Sequence, residues 1–213
     1  MSESALPHLN PFEIRVLGCL MEKQLLTPDI YPLSLNALQS AANQKSSRDP
    51  VMAMDPAEIN RALKSLEEKG LARRVSGSRV ERFEQGAARV FRLTTPQSAL
   101  LALLLLRGPQ TLNELLTRSD RMANFGSGEA VREELDMLIG RHPALVKEIG
   151  RAPGQREDRF AHLLAGDVDV SSIAAPALRG PGPAAQIAEL EARIRQLEEE
   201  NAALKARLAA DGR

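Results

Sequence analysis

Apolar residues recur through the first 94 positions in runs of helical spacing, broken by proline, glycine and polar caps. The clearest run is Ile59, Leu63 and Leu66, which share one face of a helix. Asp55 is an N-cap, Pro56 suits the first turn, Glu58 completes a capping box, and Gly70 ends the run. Upstream, Asn10-Pro11 opens a helix carrying Phe12, Ile14, Val16, Leu17, Leu20 and Met21 and ending near Lys23. Leu26 to Leu33 holds Pro28 and Pro32 and reads as an ordered turn. Ser34 caps a short helix with Leu35, Leu38 and Ala41, and Asn43 to Met54 is a polar connection. From Leu71 to Thr94 the pattern becomes extended, and a β-hairpin turning at Gly86-Ala87 is expected.

The same order then returns. Pro96 to Arg107 is an apolar helix, broken by Gly108-Pro109. Thr111 with Glu114 forms a capping box for a second helix. A third helix starts near Ser127 and packs Val131, Leu135, Leu138 and Ile139. Leu145 to Ile149 and Arg159 to Leu164 read as strands joined through Pro153-Gly154. Three helices and a hairpin, twice over, predict a mainly α (α+β) fold of two tandem winged-helix domains, at 10–94 and 95–166, after a tail at 1–9. Little residue identity links the halves, so the repetition expected is structural.

Residues 167–183 are rich in Gly, Pro, Ala and Ser and predict a flexible linker. Residues 184–210 are the most periodic of all. Ile187, Ile194, Asn201 and Leu208 occupy heptad position a, and Leu190, Leu197 and Leu204 occupy d. Ile at a with Leu at d, and a single Asn at a, predict a parallel two-stranded coiled coil and hence a homodimer. Arg193 would face Glu198 of the partner helix, and Glu200 would face Lys205. The alternative is a helix folded back on its own chain. Six apolar seam residues at ~1.5–3 kcal/mol each only modestly exceed the ordering cost, so weak dimerisation is expected.

Composition narrows the function. Net charge is zero over 28 basic and 28 acidic residues, so any electrostatic footprint is local. Cys19 is the single cysteine and lies in an apolar run, which excludes a disulfide framework within the chain. His8, His142 and His162 lack metal-ligand spacing, and neither a nucleophile elbow nor a phosphate-binding Walker loop is present. No cofactor and no enzymatic activity are expected. The start of the chain lacks signal-peptide character, and the longest apolar run, Ala99 to Leu106, is too short to span a bilayer, so a cytoplasmic protein without membrane association is expected.

What local charge remains points to double-stranded DNA. Leu71 to Thr94 holds six Arg against two Glu. On the helix before it, Asn60, Arg61, Lys64 and Glu68 lie opposite the apolar face, and Asn60, Arg61 and Lys64 would meet a groove. Arg73, Arg74, Arg79, Arg82 and Arg89 would follow phosphates. In the connection ahead of that helix, Gln44, Lys45, Ser46, Ser47 and Arg48 are further contact candidates. Two plainer readings stand beside this one: a charged, solvated hairpin, and a self-satisfied loop with Arg48 or Asp49 in an internal ion pair. The last helix of the second half carries Glu129, Glu133, Glu134 and Asp136, which repel phosphate. A DNA-binding, transcription-regulator-like protein and a protein-interaction adaptor that docks a protein partner therefore both remain open.

Four stretches carry a family resemblance: LTPDIYPLSLNALQSAANQKSSRDPVM (26–52), GSRVERFEQGAARVFRL (77–93), RGPQTLNELLTRSDRM (107–122) and APGQREDRFAHLLAG (152–166). Together they resemble the YceH family of uncharacterised bacterial proteins, across about residues 9–166. The resemblance implies tandem winged helices and implies no established activity. Ala42 and Phe160 stand where many members of that family carry Cys and Trp, which removes any case for a thiol role at position 42.

Overall fold

The computed structural model describes residues 6–75, 80–151 and 157–167, all within one unit, Met1–Ser172. The linker, the heptad positions from Ile187 to Leu208, Arg79 and the Pro153-Gly154 tip lie outside the described residues.

Side-chain caps start the helices where the sequence places them. Asn10 accepts from the Phe12 and Glu13 amides, and Glu13 returns the bond to Asn10, opening α1 (Pro11–Leu26). The helix runs one turn beyond the expected end at Lys23, because Leu25 and Leu26 pack on the core and the Thr27 amide and hydroxyl both bond the Lys23 carbonyl. A 3-10 turn (Pro28–Ile30) leads to β1 (Leu33–Ser34), and Ser34 caps α2 (Leu35–Ala42). Asp55 and Glu58 form the capping box of α3 (Pro56–Glu68). Strands β2 (Ala72–Val75) and β3 (Arg82–Gln85) follow, then a single helical turn, α4 (Ala87–Val90).

The second half repeats the plan: α5 (Thr95–Arg107), β4 (Gln110–Thr111), α6 (Leu112–Ser119), α7 (Gly128–Ile139), β5 (Val146–Ile149) and β6 (Arg159–His162). Thr94, Thr111 and Ser127 cap its helices. The described residues thus form a mixed α+β structure with two three-stranded antiparallel sheets, ordered β1-β3-β2 and β4-β6-β5.

The repetition extends to single residues. Leu33 faces Phe83 and Gln110 faces Phe160, so each sheet seats one fully buried phenylalanine at the same place. The next residues pair as Ser34 with Arg82 and Thr111 with Arg159. Each of those arginines donates to the carbonyl just ahead of the first strand: Arg82 to Pro32 at 2.8 Å, Arg159 to Pro109 at 2.9 Å.

Two short strands go unanticipated and one expectation fails here. The two-residue strands β1 and β4 are too short to leave a periodic signal. The hairpin does not turn at Gly86-Ala87: β2 and β3 pair from Ala72 with Gln85 to Val75 with Arg82, so the reversal lies between Val75 and Arg82. Gly86 instead bonds the Leu71 carbonyl and presses on the chain at Gly70, where a Cβ would sit 2.4 Å from the Gly70 oxygen. That close approach, rather than a turn, is why glycine is needed there.

The two halves meet along α1 and α5. Val16 to Met21 and Ala99 to Leu106 are buried without a break, so neither helix keeps a solvent face over these turns. Gly18 marks the closest approach: a Cβ there would lie 2.9 Å from the Leu106 side chain. The Asp49 amide also bonds the Leu106 carbonyl at 2.9 Å, and the Leu9 amide bonds the Leu164 carbonyl at 2.7 Å.

Candidate nucleic-acid interface

Helix α3 buries Ile59, Ala62, Leu63 and Leu66 against the first half. That packing fixes the opposite stripe toward solvent: Ala57, Asn60, Arg61, Lys64 and Glu68 are exposed. Among the described residues, none forms a hydrogen bond or ion pair with the side chains of Asn60, Arg61 or Lys64. A short amide, a guanidinium and an ammonium thus share one open helix face, between Glu58, held in the capping box with Asp55, and Glu68 at the C-terminal end.

The connection from Asn43 to Met54 is ordered by its own side chains. Asn43 exchanges two bonds with the Met54 backbone, at 2.7 and 2.8 Å, and Gln39 adds a third at 3.1 Å. Arg15 reaches up from α1 to the Ala42 and Pro50 carbonyls. Arg48 turns inward, donating to the Ala41 and Ser47 carbonyls and, through both terminal nitrogens, to Glu22 at 3.0 and 2.6 Å. Its side chain is fully enclosed. Arg48 is therefore not a duplex contact, and the internal ion pair is the reading the structure shows. A loop buried at its base must satisfy its carbonyls, and a guanidinium offers five donors for the task. Burial works to raise the Glu22 carboxyl, but the hydrogen bonds and charge of Arg48, with Lys23, outweigh it and hold the group below the usual carboxylate range. Lys45, Ser46 and Ser47 stay exposed on the outer side of the same loop, Ser47 with a left-handed backbone at φ 60°.

The ribbon is less open than its arginine count suggests. Arg73 pairs with Glu84 directly across the strands, at 2.8 Å to Nε. Arg74 pairs with Glu81 at 2.7 Å and Glu67 at 3.5 Å and lies over the Phe83 ring, 5.5 Å from its centre. Both remain about half-exposed or more, and pairs so open to solvent are weak, so they lower the local charge rather than lock it. Arg82 is half-buried and holds the Pro32 carbonyl, so the expectation that it follows phosphates is corrected to a structural role shared with Arg159. Arg89 is exposed, as is Arg92, which spacing alone does not single out.

On the corresponding helix of the second half the open face is acidic. Glu129, Glu133 and Asp136 are exposed, and Arg132 is taken up by Asp136 at 2.9 Å and Glu148 at 2.8 Å. Gln97 holds Glu134 at 2.9 Å.

Burial pushes the Cys19 thiol up to about 11. Among the described residues, no group of three His, Cys, Asp or Glu side chains gathers as a metal site would require, and no helix is long and apolar enough to cross a membrane.

Residues 9–155 match the family described as Protein of unknown function, DUF480. A UPF0502 protein of Mesorhizobium japonicum is 62% identical over 212 residues, covering all of both chains. A UPF0502 protein of Ectopseudomonas mendocina is 50% identical, covering 87% of this chain and 88% of its own. One of Stenotrophomonas maltophilia is 47% identical, covering 95% and 94%. With the match extending across more than half its length, the chain belongs to the DUF480/UPF0502 family of uncharacterised bacterial proteins.

Proposed function

We propose that each half is a winged helix and that the protein is a non-enzymatic, cytoplasmic, regulator-like DNA binder that reads duplex DNA through the first half. The observation that carries this reading is the open stripe of Asn60, Arg61 and Lys64 on α3, with no internal partner among the described residues, beside the exposed Lys45 and the flanking Arg89. A helix of this kind, set on a rigid core and followed by a ribbon, suits a major groove with adjacent phosphates. Arg73 and Arg74 contribute in second place, because each must first leave a carboxylate. The heptad at 187–208 would join two chains in a homodimer, and its linker would add effective concentration without fixing half-site spacing.

A second reading is favoured by two specific observations. The ribbon's pairs, Arg73 with Glu84 and Arg74 with Glu81, neutralise it locally, and the second half shows an acidic face. Both suit an adaptor that docks a basic protein segment.

Titration of the full chain against mixed genomic duplex at several salt concentrations separates the two. The DNA reading expects affinity that falls linearly on a logarithmic salt axis, and a loss of tenfold or more in Arg61→Glu/Lys64→Glu. No duplex binding at low salt leaves the adaptor. Sedimentation of a chain ended at Gly166 should show loss of dimer; an unchanged mass removes the zipper.

A further inference from the structure

We propose that a cleft between the two halves binds a small organic anion with an apolar body. The cleft has a volume of about 530 Å³, within the range of small-molecule sites, and draws its walls from separate parts of the fold. Lys69 at the end of α3 and Val90 to Arg92 after α4 come from the first half; Arg141 to Leu145, between α7 and β5, come from the second. Leu6 and Pro7 of the N-terminal arm close one side, and the arm is fixed by the Leu9 bond to Leu164.

The chemistry of the lining is one-sided. Lys69, Arg92 and Arg141 supply positive charge, and no carboxylate is among the lining residues. Lys69 is in part neutralised from behind by Glu13, at 2.7 Å. Arg141 is held by the Phe91 carbonyl, a neutral acceptor that positions the guanidinium and leaves its charge uncompensated. Arg92 has no side-chain partner among the described residues and takes a left-handed backbone, φ 49°, where a glycine would be less strained. Two guanidiniums from different halves that line one cleft, with no carboxylate among its lining residues, suit an anion. The rest of the wall is Leu6, Val90, Phe91 and Leu145, and Val90 is 46% exposed. Carboxylate and phosphate share the required chemistry: an anionic head on the arginines and an apolar body against Val90 and Phe91. This inference does not depend on the DNA reading.

Calorimetric titration of the full chain tests it with 1-naphthoate, 1-naphthyl phosphate and the neutral 1-naphthalenemethanol. Saturable binding of one anion per chain is expected, at least tenfold tighter than the neutral probe. The tighter of the two anions identifies the head group. Arg92→Gln should weaken it about fivefold or more, and Val90→Glu, which places a carboxylate in the cleft, should abolish it. Arg121→Gln, at an exposed position outside the cleft, should leave it unchanged. The proposal is overturned if neither anion binds up to about 1 mM. Equal affinity for the neutral probe, or anion binding untouched by Arg92→Gln and Val90→Glu, overturns it as well.

Discussion

Arg48 and Glu22 show how a charged residue can be spent on architecture. Both side chains are nearly or wholly enclosed, at 0% and 7% exposure, and Lys23 is a second cation on the same carboxylate at 3.1 Å. Removing Arg48 alone leaves the enclosed carboxylate with Lys23 as its remaining cation, which costs up to about 3–5 kcal/mol. Arg48→Met should therefore lower the urea midpoint sharply with little change in slope, and Glu22→Leu/Arg48→Met should recover part of the loss. A double variant as unstable as the sum of the single ones would show that the two charges are uncoupled. His162 gives a second test at this scale. Its Nδ1 is enclosed without a hydrogen-bond partner among the described residues, and burial pushes the imidazole down to about 4. The folded state resists protonation that the unfolded chain accepts below about 6.5, so its contribution is fully present above that pH and is lost as pH falls toward 4. Between pH 7 and 4.5 the protein should lose about 2 kcal/mol more than His162→Gln, read from denaturant titrations at each pH. Parallel curves for the two proteins would exclude this role.

At the scale of elements, the parts governed by local chemistry were legible and the parts governed by distant contacts were not. Helix caps at Asn10, Asp55 and Thr111 appear where the residues place them, because a cap needs only its own next three residues. The buried face of α3 followed from Ile59, Leu63 and Leu66 in the same way. β1 and β4 were not readable, since a two-residue strand exists only through its pairing with a partner some 50 residues on. Gly86 looked like a turn because glycine marks turns more often than it marks contacts between strands. For the interface, residue type was informative on α3, where helical phase decides what faces water. On the ribbon and the preceding loop it left a duplex contact and an internal pairing both open: nothing near Arg48, Arg73 or Arg82 in sequence announces Glu22, Glu84 or the Pro32 carbonyl as the partner.

At the scale of the whole described structure, the question is whether two halves joined along α1 and α5 fold as one. The segment Ala99 to Leu106 carries no polar alternation, and such a helix is stable only if covered on all sides. One side is covered by its own half, with contacts to α6, α7 and β6, and the other by α1. Separation would expose this leucine surface together with Val16, Leu17 and Leu20. Gly18 allows the contact, because a Cβ there would meet Leu106 at 2.9 Å and Leu105 at 3.1 Å. Gly18→Val should force the helices apart at an overpacking cost of about 1–3 kcal/mol, which the better helix propensity of valine only partly offsets. If the halves open together, hydrogen exchange should accelerate alike, by about tenfold, in the amides of α1 and of α5, although the substitution lies in α1 alone. Faster exchange confined to the first half would mean that the second holds its leucine helix without help, and that the shared core is a contact between two independently stable bodies.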